Sequence, residues 1–133
     1  MQFSKLFALV PFAALAIIPV KAEATPKYAC AVHEVFECTA VAGCKRITHK
    51  TAGIPPMVTL NVTEKGLFSG LFGGGNLLQQ GDVFNDEKVL IMRGRKGLQT
   101  WSAVVEKPTG RMSGTIAQAG RAFTQFGTCV EAK

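Results

Sequence analysis

Cys30, Cys38 and Cys44 stand close together in the chain, His33 and His49 lie among and just beyond them, and Cys129 comes near the end. Thiolates and imidazoles grouped in this way can hold a zinc ion, or the thiols can pair as disulfides. Zinc sites tend to show regular ligand spacing, and here the spacing is irregular with no Cys-x-x-Cys. The same absence argues against a redox centre. An even number of cysteines in a small exported chain reads instead as two disulfides, and four cysteines allow three pairings. We expect Cys38–Cys44, which closes a small loop over Thr39 to Gly43, and Cys30–Cys129, which ties the first strand to the last.

Other residues that could do chemistry form no constellation. No serine sits in a Gly-x-Ser-x-Gly setting. His33 and His49 have no acidic partner at a motif spacing. Asp82, Asp86 and Glu87 cluster in what reads as a loop, without the ordered ligand spacing of a calcium site. Gly73 to Gly75 are not followed by Gly-Lys-Ser/Thr, so they are no phosphate loop. Asn61-Val62-Thr63 matches a glycosylation triplet, which carries no weight within a strand. The expectation is a non-enzymatic protein with no catalytic residue, no metal and no cofactor.

Two groups could instead make contacts. The stretch Gly66-Leu67-Phe68-Ser69 is nearly repeated as Gly70-Leu71-Phe72-Gly73. Leu67, Phe68, Leu71 and Phe72 could fold back to cover an open end of the sheet. Alternatively they form an exposed apolar tip that meets a membrane or a partner. Arg93, Arg95 and Lys96 make a small basic hairpin that could grip anionic head groups or an acidic partner. Polar residues at a hairpin tip also need no such role.

The elements that must position these residues follow from the ends inward. Lys5, the apolar run Leu6 to Ile18 and the small residues Ala22 and Ala24 have the order of a secretory signal peptide, residues 1–22, cut after Ala22 or Ala24. At about 1.5 Å per residue that run falls short of the ~30 Å hydrocarbon core. Residues 23–133 are then one domain in the periplasm or outside the cell. Loss of Lys5 and Lys21 lowers the formal charge from +6 to +4. With that modest charge, no basic block and an exported chain, nucleic-acid binding is excluded as a reading.

From Val83 onward, apolar runs alternate with short Gly- or Pro-containing turns, the pattern of an antiparallel meander. The runs are Val89–Arg93, Leu98–Val105, Arg111–Ala117 and Ala122–Val130, with turns at Gly94–Gly97, Glu106–Gly110 and Gln118–Arg121. Period two puts Trp101, Val105, Met112 and Ile116 on the core face, and Phe123 with Cys129 opposite Phe126. Upstream, Tyr28–Phe36 and Met57–Thr63 read as strands, with one possible helical turn around Thr48–Ala52. Residues 64–82 read as an apolar, glycine-rich connection. The fold class is all-β: a small antiparallel meander forming a curled sheet or open barrel of six to eight strands, stapled by disulfides.

The segments YACAVHEVFECTAVAGCKRI, WSAVVEKPTGRMSG and FGTC resemble a group of small uncharacterised exported disulfide-containing β-proteins of Gram-negative bacteria. The resemblance covers most of the chain after the signal peptide and implies a periplasmic location and the same cysteine wiring. It implies no activity. The Gly66–Gly75 segment departs from the group, which has a less apolar connection there. The reading is thus a periplasmic or secreted domain that binds an envelope component or another protein. The alternative is a lipid-binding or membrane-surface protein that acts through Leu67–Phe72 and the basic hairpin.

Overall fold

A computed structural model describes residues 16–17, 26–70 and 77–132. The segment read as a signal peptide, apart from Ala16 and Ile17, lies outside the described residues, as do Leu71 and Phe72.

The described chain forms β1 (Lys27–Thr39), β2 (Gly43–Ile47), the short helix α1 (His49–Ala52), β3 (Met57–Asn61), β4 (Gly66–Ser69), β5 (Leu77–Asn85), β6 (Val89–Lys96), β7 (Gln99–Glu106), β8 (Arg111–Gln118) and β9 (Arg121–Ala132). From β3 to β9 each strand pairs antiparallel with the next, and β1 pairs with both β3 and β9. The sheet therefore closes into an eight-stranded barrel, with β2 as an extra strand paired to residues 35–39 of β1. Closure leaves no open edge along the ring. No helix among the described residues is long and apolar enough to cross a membrane.

Both expected disulfides are present. Cys30–Cys129 joins directly paired residues of β1 and β9, so it staples the seam where the ring closes. Cys38–Cys44 joins paired residues of β1 and β2. The expected core face holds as well: Trp101, Val105 and Met112 are buried, and Ile116 packs against them.

Several boundaries differ from the sequence reading. Gly94, Arg95 and Lys96 belong to β6, and the turn is only Gly97-Leu98. Glycine and two cations suggested a turn, but ladder pairing to Trp101, Thr100 and Gln99 carries the strand through them. Asp82 is a strand residue of β5 paired with Arg93, not part of an acidic loop. Residues 64–82 contain β4 and the start of β5. Four residues of Gly-Leu-Phe-Ser are enough for a strand once β3 and β5 pair with it on either side.

Candidate functional site

The inward residues change character along the strands. Towards the end bearing the β5–β6 and β7–β8 turns, called the lower end here, Tyr28, Leu90, Val105 and Met112 fill the interior. Towards the end bearing the β6–β7 and β8–β9 turns, the inward positions include Gln79, Gly94, Lys96, Gln99, Gly114 and Gln125 beside Trp101, Ile116 and Phe123. Glycines and amides do not fill the ring, and a cavity of about 240 Å³ remains. Barrels of eight strands either pack their interior or hold one small ligand, and this one does the first below and the second kind of space above.

Leu60, Leu67, Met112, Ile116 and Phe123 give the cavity apolar walls. Its polar lining residues are Gln79, Gln99 and Gln125, Lys96, Ser102 and Thr115, of which Ser102 and Thr115 pair their hydroxyls with each other at 2.8 Å. Gln99 Nε2 donates to Gln118 Oε1 at 2.8 Å. Lys96 lies at the rim, exposed, with its ammonium 3.4 Å from the Leu78 carbonyl. Two atoms are different: Gln79 Oε1 and Trp101 Nε1 are both buried and have no hydrogen-bond partner. A buried polar atom left bare costs about 1–3 kcal/mol; neither atom offers surface that a water molecule in the cavity could touch, so both lie within the packed wall.

Gly94 provides the space for one of them. A Cβ at Gly94 would stand 2.6 Å from Trp101 Nε1. The missing side chain lets the indole N–H lie against β6. Gly94 pairs across the ladder with Gly81, two residues from Gln79 along β5, so Gln79 and Trp101 belong to one side of the barrel wall.

One mouth is covered by the segment from α1 to Pro55, of which Ala52, Gly53, Ile54 and Pro55 line the cavity. Its sequence is a short capped helix. Thr48 Oγ1 accepts from the Thr51 amide at 3.1 Å, and Gly53 ends the turn at φ 67° in the left-handed region. Ile54 is buried against the core. The cover is hooked to β1 where a bulge between Val32 and Glu34 interrupts the pairing with β9. There the Val32 amide donates to the Pro56 carbonyl at 2.8 Å, and His49 Nε2 donates to the Val32 carbonyl at 2.8 Å.

The residues singled out in the sequence are thus dispersed. Leu67 turns inward and lines the cavity, and Phe68 is half-buried. Arg93 and Arg95 lie exposed on the outer wall, whereas Lys96 belongs to the inward row. His33 pairs with Thr128 Oγ1 at 2.9 Å, His49 serves the cover, and all four cysteines are in disulfides. Among the described residues no group of three His, Cys, Asp or Glu could hold a metal ion. The glutamines of the cavity were missed. Their signal was phase: Gln99 alternates with Trp101 and Ala103, and Gln125 with Phe123 and Cys129, all core positions.

Comparison with protein-family models, curated proteins and solved structures finds no match to this chain. Fold and site alone therefore define its class, a small disulfide-closed β-barrel with one packed half and one hollow half.

Proposed function

We propose that the protein is a non-enzymatic binding domain of the periplasm or extracellular space whose barrel interior takes a small molecule. The observation that carries this reading is the cavity of about 240 Å³, with apolar walls and a few amide side chains at the hollow end of the barrel. A mostly apolar pocket with a few convergent polar groups is the common form of a small-ligand site. The two disulfides fit an oxidising compartment. A membrane-surface role through Leu67–Phe72, Arg93, Arg95 and Lys96 gains no support from the described side chains, because Leu67 faces inward and the three cations divide between wall and rim.

The test is native mass spectrometry of the protein released from the periplasm by osmotic shock. The expected species starts after Ala22 or Ala24, contains both disulfides and carries a bound small molecule. Gly114→Leu, which projects a side chain into the cavity, should appear without it. A protein found intact in the cytoplasm would sink the location. Equal ligand occupancy in Gly114→Leu would sink the binding site.

A further inference from the structure

The charge around the hollow is one-sided. Among the described residues that line the cavity, Lys96 is the only charged side chain, and no Asp or Glu is present. Lys96 ends the inward row of β6, after Leu90, Met92 and Gly94, and stands exposed at the rim. Its ammonium lies 3.4 Å from the carbonyl of Leu78, another residue of the wall. That contact occupies one of its three donors. The ion pairs among the described residues join Arg46 to Glu34, Arg111 to Glu106 and Arg121 to Glu37, and Lys96 has no part in them.

An apolar chamber with one unpaired cation at its mouth matches an amphipathic anion. We propose that the cavity takes a small organic anion whose hydrocarbon body lies among Leu60, Leu67, Met112, Ile116 and Phe123 and whose charged end meets the Lys96 ammonium at the rim. This rests on the small-molecule reading above and names its ligand class. A charge carried into the chamber would lose its hydration against walls that offer little in return. A charge left at the rim keeps its contact with water and gains an ion pair, while the body alone is buried. Since a cavity of about 150 Å³ holds benzene, one of about 240 Å³ holds a body of roughly eight carbons. A cationic head would be repelled by Lys96 and would find no carboxylate in the described lining. A neutral head would gain no ion pair.

Trp101 is the single tryptophan of the chain and lines the cavity, so its fluorescence reports on occupancy. The oxidised protein is titrated at neutral pH with octanoate, octanamide and octylammonium, which share a chain length and differ in head-group charge. Octanoate should change the emission saturably and bind about fivefold more tightly than octanamide, the size of a partly exposed ion pair. Octylammonium should bind most weakly. The preference for octanoate should shrink at high salt. Lys96→Met should remove it, and Lys96→Arg should keep it. Equal affinity for octanoate and octanamide, tighter binding of octylammonium, or a preference that survives in Lys96→Met would overturn the anion assignment while leaving a small-molecule site. No saturable change with any of the three would overturn the site as well. The head-group comparison needs no variant, so it stands even if a Lys96 variant does not fold.

Discussion

The lower and upper halves of the barrel interior are built from the same strands and differ in almost every inward residue. β6 supplies Leu90 and Met92 below, both fully buried, and Gly94 and Lys96 above. β7 supplies Val105 below and Gln99 above, and β8 supplies Met112 below and Gly114 above. The lower half is closed further by Tyr28, whose ring lies 5.8 Å from the Lys107 ammonium, and by backbone bonds between the turns, such as Lys107 to Lys88 at 2.9 Å. The difference teaches that stability and space are separated along each strand. Side chains pack densely at one end, while the other end keeps a void.

The largest break in this scheme is at the seam, which serves both halves. Cys30→Ser with Cys129→Ser removes a bridge across 99 residues. Urea denaturation should show a loss of about 4–5 kcal/mol on the chain-entropy view. Next in size is Leu90→Ala. Leu90 is fully buried in the packed half, and truncation there should cost about 2–5 kcal/mol. Gln125→Ala in the hollow half should cost well under half of that, because its side chain borders a void. Equal losses at positions 90 and 125 would mean that the two halves do not differ energetically.

Much of the apolar inward row was legible in the sequence, and the reason is physical. Trp101, Val105, Met112 and Ile116 alternate with polar residues, and a one-sided sheet leaves no other way to bury them. The Cys30–Cys129 pair could be read because the first and last strands must meet when a meander closes, and Cys38–Cys44 because the two lie close in sequence across a small loop. The hollow half was not legible for the same kind of reason. Gln79, Gln99 and Gln125 occupy core phase but look like ordinary surface residues one at a time, and only closure of the ring brings them together. The strand β4 was hidden because Gly66, Gly70 and the glycines that follow lower strand propensity, and tertiary pairing overrides it. The basic hairpin misled because three cations adjacent in sequence alternate between the two faces of a strand.

A finer comparison uses two inward glycines of the upper half. A Cβ at Gly94 would collide with the Gln80 carbonyl oxygen and Trp101 Nε1, while one at Gly114 would meet nothing nearer than 3.5 Å. Gly94→Ala should therefore cost about 1–3 kcal/mol through overpacking. Gly114→Ala should be neutral or stabilise by about 0.5–1 kcal/mol, since alanine suits a strand better than glycine does. Thermal melts of the two variants check this. If Gly94→Ala is as stable as Gly114→Ala, the indole does not stand where the cavity geometry requires it.

The smallest effect belongs to the β5–β6 turn at the packed end. Asp86 Oδ1 accepts from the Lys88 amide at 2.7 Å and the Val89 amide at 2.8 Å. These backbone bonds, first the one from Val89 and then the one from Lys88, hold its carboxyl below its ordinary pKa. The folded state therefore binds this proton less readily than the unfolded chain. Its contribution to stability is fully present above the unfolded value near 4 and is lost as pH falls through the lower folded value. Because the side chain is exposed, water screens most of the effect. Asp86→Asn should flatten the acid limb of the stability profile slightly and leave ligand binding at the far end unchanged. A change in small-molecule occupancy of the cavity in that variant would show that the two ends are coupled after all, and the separation of packing from space would have to be abandoned.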